Sequence, residues 1–324
     1  MNSFLDGREG IMEDLKNIRL DPNVVSSILE PYIVQRGTRQ DPQITGEINK
    51  LENRWKKRRW QRRLLGWLPN ARSLPPMLRG ARNQEYVFES YSTTWETQGW
   101  PNPQEPLQPK EASLVAWGEE ILKVRRGGLS RVHLHYMADV IEAIRPRSIL
   151  EVGCGNGLNL FVLASKFPDI AMQGVELTEK GVATAKSVQQ AKTFPETLVK
   201  FCPWEVGNLE KWRKIDFRQG DARSLPFADS SFDLVFTRLA LEQMESLRDA
   251  AVAEIQRVAK THVMLLEPFA EFNQDALRRN YVGAKDYFSL PHEQLQKFGI
   301  QVLMTYKDFP QKLTLGAGLV LGKV

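Results

Sequence analysis

The stretch Ile149-Leu150-Glu151-Val152-Gly153-Cys154-Gly155-Asn156-Gly157 constrains the fold more than any other part of the chain. A short apolar run ends in glycines at alternate positions, and a helical pattern over 158–166 begins at once. Strand, glycine turn and helix start in that order put backbone N–H groups and the positive end of a helix at the strand's carboxyl end. Glycines there let the backbone approach a ligand closely. The spacing also excludes ligands. A dinucleotide turn has G-x-G-x-x-G, and Leu158 holds the place of its third glycine. No G-x-x-x-x-G-K-S/T run is present, so there is no Walker-type loop for a nucleoside triphosphate.

From Arg147 onward, strand and helix patterns alternate. Residues 148–152, 171–176, 215–218, 232–236 and 262–266 read as strands, and 158–166, 181–191 and 250–258 as helices. Such alternation implies a mostly parallel sheet covered on both faces. The last apolar runs, 301–306 and 313–321, are joined too closely for a crossover helix and should pair antiparallel. Ahead of the first strand, 130–144 reads as a helix that Ser130 can cap and Pro146 follows. Residues 1–48 look helical and polar, and 69–112 are irregular and rich in proline. With 324 residues, 42% of them apolar and 26% charged, the chain can bury a large core. Its longest apolar runs fall far short of the roughly 20 residues of a membrane span. The first residues lack the basic-then-apolar pattern of a secretory signal. Two cysteines, Cys154 and Cys202, make no disulfide framework. These features suit a cytoplasmic protein.

The motifs, taken in order, resemble one family. Residues 147–324 look like a class I S-adenosylmethionine-dependent methyltransferase of the small-molecule, type 11-like kind. Glu151–Gly157 resembles its glycine loop, with Glu151, Gly153, Gly155, Asn156 and Gly157 as cofactor contacts. Glu176, with Leu177 beside it, resembles the acid that accepts both ribose hydroxyls. Gly220-Asp221-Ala222 resembles the turn that contacts adenine, with Asp221 accepting from the amino group. The run 231–236 resembles the fourth strand, and Arg238 just after it is a candidate clamp for the cofactor carboxylate or for an anionic substrate, with a surface salt bridge as the alternative. The resemblance implies an α/β, Rossmann-like, seven-stranded and mostly parallel sheet with an antiparallel last strand. It spans 130–324, behind a mainly helical N-terminal extension over 1–129. The implied cofactor is S-adenosylmethionine.

Motifs that would name the methyl acceptor are absent. After the fourth strand the chain reads Thr237-Arg238-Leu239-Ala240-Leu241-Glu242-Gln243, with neither the D/N-P-P-Y/F of DNA amino-methyltransferases nor the Pro-Cys of cytosine C5 enzymes. Glu267-Pro268 stands where metal-dependent catechol enzymes have Asp-Asn, and no protein metal site is expected. His133 and His135, two residues apart on a helix, diverge rather than share a metal. The candidate bases are Glu267, Glu242 and His133, with His135 and His292 behind them. Substrate selection is expected from the N-terminal extension and from an insert over 269–292 that carries Arg278, Arg279, Tyr281 and Tyr287. The aromatic stretch 86–95 is a candidate lid.

Charge is concentrated in one place. Residues 50–82 hold eleven basic residues and one acid, Glu52, whereas the whole chain is only +5. Within the helix expected over 49–68, Trp60, Leu64, Trp67 and Leu68 share a face among lysines and arginines. That pattern suits an anionic membrane surface, RNA, or docking on the catalytic domain. The preferred reading is methyl transfer to an oxygen or nitrogen of a small-molecule, lipid-linked or glycan acceptor, with peripheral membrane contact through 49–68. An RNA substrate is the less favoured alternative. A non-catalytic partner protein with the same fold is the third.

Overall fold

The computed structural model describes residues 12–65, Phe88, 112–207 and 211–324. In chain order the elements are α1 (Pro22–Leu29), β1 (Ile33–Thr38), α2 (Pro42–Leu65), β2 (Ala112–Trp117), β3 (Glu120–Arg125), α3 (Gly128–Ile144), β4 (Ser148–Val152), α4 (Leu158–Lys166), β5 (Ala171–Glu176), α5 (Glu179–Gln189), α6 (Glu196–Phe201), β6 (Asp216–Gln219), β7 (Phe232–Arg238), α7 (Arg248–Val258), β8 (Ala259–Glu267), α8 (Ala276–Lys285), β9 (Gln301–Tyr306), β10 (Gln311–Lys312) and β11 (Gly318–Lys323).

Seven strands form the main sheet in the order β6-β5-β4-β7-β8-β11-β9. The first five are parallel, and β11 runs antiparallel to both β8 and β9. Alternate residues of one strand feed opposite faces. In β11, Leu319 and Leu321 join the core with α3 and α4, while Val320 joins the core with α7. Chain order reverses between β4 and β7, which places the ligand crevice outside their carboxyl ends.

The run expected over 313–321 is split in the structure. Gln311–Lys312 pairs with β2, and the second strand begins only at Gly318. Asn273 causes the break: its side chain accepts from Gly316 N at 2.8 Å and donates to Gly316 O at 2.9 Å, so that residue joins neither ladder.

A second sheet, in the order β1-β3-β2-β10, was not foreseen in the sequence. Three of its strands come from the N-terminal region and the fourth from the end of the chain, so the extension, helical in α1 and α2, also carries a sheet that closes over the domain. Helix α2 packs on α8 through Ile44, Ile48 and Trp55, and the Trp55 ring meets Tyr281 edge-on at 4.6 Å. Trp60 and Leu64 are 61% and 52% exposed, so the docked face is not the one the sequence pattern picked out. Trp67, Leu68 and the expected lid over 86–95, apart from exposed Phe88, lie outside the described residues.

Arg131 ties these parts together. Buried in α3, it donates to Ile28 O, Phe201 O and Cys202 O at 2.6, 3.0 and 3.1 Å, which joins α1 and α6 to the core. Replacing it with methionine leaves three carbonyls without their donor, and an unpaired buried polar group is costly. Arg131→Met should lower unfolding stability by about 3 kcal/mol. Denaturant titration checks this, and an unchanged midpoint would contradict it.

Candidate active site

The glycine turn after β4 faces the segment after β7. Gly153 has φ +77°, and a β-carbon there would lie 2.6 Å from the β-carbon of Ala240. Only glycine allows both the backbone turn and that approach. Gly157, at φ +80°, opens α4 against the Phe217 ring, where a β-carbon would come within 2.7 Å. Gly155 N donates to Glu176 Oε2 at 3.0 Å, so the end of β5 holds the turn.

Across the crevice, Leu239 sits at φ +52°, a conformation that costs a non-glycine residue about 1 kcal/mol or more. Leu239 N bonds to Leu266 O at 2.9 Å, and the chain then makes a single helical turn at Leu241–Gln243. The buried Glu267 carboxylate holds that turn. It accepts from the backbone N–H groups of Ala240, Leu241 and Glu242 at 2.9, 3.1 and 3.1 Å. Burial, and next the charge of Glu242, pushes the Glu267 carboxyl up to about 8, against those N–H groups. Glu267, the first base candidate in the sequence, is therefore engaged with the backbone and lines neither of the two cavities at the crevice.

The first cavity, about 290 Å³, is bounded by the glycine turn, Glu176, Leu177, Thr178, Gly220, Ala222 and the segment from Arg238 to Met244. The second, about 570 Å³, lies between the two sheets and is walled by β2, β3, α3, Tyr281, Tyr287 and the segment after Phe309. They share Arg126, Gly127, Ser130, Arg238 and Leu239. Two adjoining cavities with a common neck are what a group transfer between two bound molecules requires.

Glu176 is engaged already: its other oxygen accepts from Thr178 N and Thr178 Oγ1 at 3.1 and 2.8 Å. Asp221 does not line the cavity, although its neighbours Gly220 and Ala222 do; its carboxylate is paired with the Arg223 guanidinium at 2.7 Å. Glu151 is fully buried below the crevice. Its Oε1 accepts from Asn159, a residue of the cavity wall that sequence reasoning missed, although the spacing of eight residues across a glycine turn could have suggested it. Glu151 Oε2 and Asn159 Oδ1 are buried with no hydrogen-bond partner among the described residues.

His133 and Glu242 both line the second cavity. Burial, then the charges of Arg238 and Lys312, holds His133 well below the usual histidine range, so it is neutral near pH 7. Its Nδ1 has no partner among the described residues. His135 instead approaches Asp139 at 3.9 Å, and His292 pairs with Glu271; neither lines a cavity. Cys154 is buried, and burial pushes its thiol up, so it is no nucleophile. No group of three or more metal-ligating side chains occurs among the described residues.

Residues 150–266 match the family model described as a methyltransferase domain. Over that stretch the chain is similar to methyltransferase domains. Among relatives, an ajmaline N-methyltransferase of Rauvolfia serpentina is 28% identical over 38% of this chain and 35% of its own length. A malonyl-[acyl-carrier protein] O-methyltransferase of Nitrosospira multiformis is 26% identical over 49% of this chain and 48% of its own. The chain thus spans about a third to a half of the length of these relatives. The magnesium protoporphyrin IX methyltransferase of Synechocystis aligns over 60% of this chain and 83% of its own, at 12% identity and a TM-score of 0.45.

The first cavity suits S-adenosylmethionine, the cofactor that the sequence resemblance implies. The orphaned acceptor Asn159 Oδ1, on the cavity wall, matches an ammonium, Arg126 and Arg238 a carboxylate, and Glu176 a ribose hydroxyl.

Glu151 also makes stability depend on pH. Burial, and more weakly Glu176, raises its carboxyl from 4.5 to about 8, against the Asn159 amide and Arg238. Between those values the folded state holds a proton that the unfolded chain has lost. Its contribution is full below 4.5 and is lost as pH rises through about 8. Glu151→Gln, neutral throughout, should flatten the fall in stability over that window. Denaturant titrations at several pH values check this; an unchanged slope would count against a protonated Glu151.

Proposed function

We propose that this chain transfers a methyl group from S-adenosylmethionine to an oxygen or nitrogen of a small molecule bound in the second cavity. The observation that carries the reading is the shared neck. The cofactor-type cavity and the larger cavity meet at Ser130, Arg238 and Leu239, with His133 and Glu242 on the acceptor side. The relatives' names span N- and O-methylation, which agrees with a small acceptor and leaves its identity to the second cavity.

The cofactor supplies an electrophilic methyl group when bound. Glu151, Gly153, Gly155, Asn156 and Gly157 line or support its methionine end, joined by Asn159 and Arg238. Glu176 and Leu177 take the ribose side, and Ala222 the adenine. Asp221 holds the adenine turn through Arg223 rather than through the cavity. On the acceptor side, neutral His133 accepts a proton from a hydroxyl or amine through its unpartnered Nδ1, and Glu242 offers a second acceptor. Glu267 acts through Glu242, because its carboxylate fixes the turn that carries that residue.

Methyl-labelled cofactor incubated with cell extract, then separated into lipid, soluble small-molecule, RNA and protein fractions, tests the reading. Label is expected in the soluble or lipid-linked fraction, and label in RNA alone would overturn it. His133→Phe should lower turnover about 100-fold for a hydroxyl acceptor. Glu176→Ala should weaken S-adenosylhomocysteine binding in calorimetry.

A second reading concerns α2. No described helix is long and apolar enough to cross a membrane. Exposed Trp60 and Leu64, one turn apart beside exposed Arg63, favour contact with an anionic bilayer surface. Co-sedimentation with phosphatidylserine vesicles should fall for Trp60→Ser; binding that ignores both this change and salt would contradict it.

A further inference from the structure

Among the described residues, four cationic side chains, Arg125, Arg126, Arg238 and Lys312, line the second cavity, against the one carboxylate of Glu242. Arg126 and Arg238 also border the first cavity, where a cofactor carboxylate can use them. Lys312 does not line the first cavity, and neither does Arg125.

Lys312 is the informative residue. It lies in β10, the edge strand that the end of the chain adds to the small sheet. Its backbone is fixed there, paired with Val115 and accepting from Arg278 Nη2 at 3.1 Å. Its side chain is half-buried, and its ammonium makes no hydrogen bond or ion pair with any described residue. A lysine usually extends its charge into water, and withdrawing an ammonium without a counter-charge is unfavourable. Here burial, and then Arg238, holds the Lys312 pKa down, with Glu242 opposing. The rest of the wall includes Val115, Leu129, Leu315 and the rings of Tyr281 and Tyr287, a surface for an apolar or aromatic body.

We propose that the acceptor is an amphipathic small molecule bearing an anionic oxygen group, a carboxylate or a phosphate, that Lys312 binds in the second cavity. This rests on the reading of that cavity as the acceptor site. The anion supplies the partner that the ammonium lacks, through a charge-assisted hydrogen bond. Its body lies against the tyrosines, and its nucleophile reaches the neck at Ser130 and Leu239. A cationic acceptor would meet the like charge of the Lys312 ammonium at that wall.

Four phenols matched in shape test the proposal: 4-hydroxybenzoate, 4-hydroxyphenyl phosphate, 4-hydroxybenzamide and 4-hydroxybenzylamine. Each is titrated calorimetrically into the full chain, with and without saturating S-adenosylhomocysteine. At least one anion should bind about tenfold tighter than the neutral amide, and the amine should bind worst. Lys312→Met should remove that advantage, and Lys312→Arg should restore most of it. The better of the two anions tells carboxylate from phosphate. S-adenosylhomocysteine binding by the Lys312→Met chain, as by the unaltered one, shows that it folds. The proposal is overturned if the amide or amine binds as tightly as the anions, if neither anion binds at millimolar concentration, or if Lys312→Met loses nothing. Failure of the unaltered chain to bind S-adenosylhomocysteine would instead strike the cofactor reading, because the anion preference is also measured without it.

Discussion

The Glu267 carboxylate, buried at the end of β8, gathers three consecutive N–H groups from the segment after β7. The neck between the two cavities depends on that arrangement. It fixes Ala240 against Gly153, keeps Leu239 in its left-handed conformation, and sets the turn from which Glu242 reaches the acceptor side. A carboxylate is suited to this work because its two oxygens can take several N–H groups at once. The arrangement also gives this carboxyl on the active edge a positioning role, because it holds the turn and lines neither cavity.

The second cavity is walled by segments far apart in the chain. Strands β2 and β3 precede the domain, β10 comes near the chain's end, and together they form a sheet over the crevice. The first cavity is built from turns of the α/β core, whereas the second is assembled from segments about 200 residues apart, such as Val115 and Lys312. A stable core with a variable roof lets one reaction serve different molecules, because acceptor chemistry resides in the roof.

Much of the domain was legible because its signals are local. The glycine turn, the alternation of strands and helices and the acid closing β5 each lie within a few residues, and all fall at the switch point of the sheet. The small sheet was not legible. Its strands are six residues or fewer, their alternation is broken in Ser113-Leu114-Val115-Ala116, and the edge partner of β2 lies far down the chain. Helix α2 was legible as a helix, but its docked face was not, because arginines and tryptophans occupy both sides and only α8 decides between them. The ion pair between Asp221 and Arg223, two residues on, was likewise not legible.

By itself the sequence determined the α/β order, the position of the crevice and the cofactor side, because short-range patterning and backbone freedom at glycine fix these. Only the tertiary structure decided which acids are free to act. It placed Glu267 under three N–H groups, set His133 beside Arg238 and Lys312 where burial keeps it neutral, and put the Lys312 ammonium in the second cavity with no partner among the described residues. The physical reason is that burial, charge and hydrogen bonding at a side chain are set by neighbours distant in the chain, and no local pattern carries them.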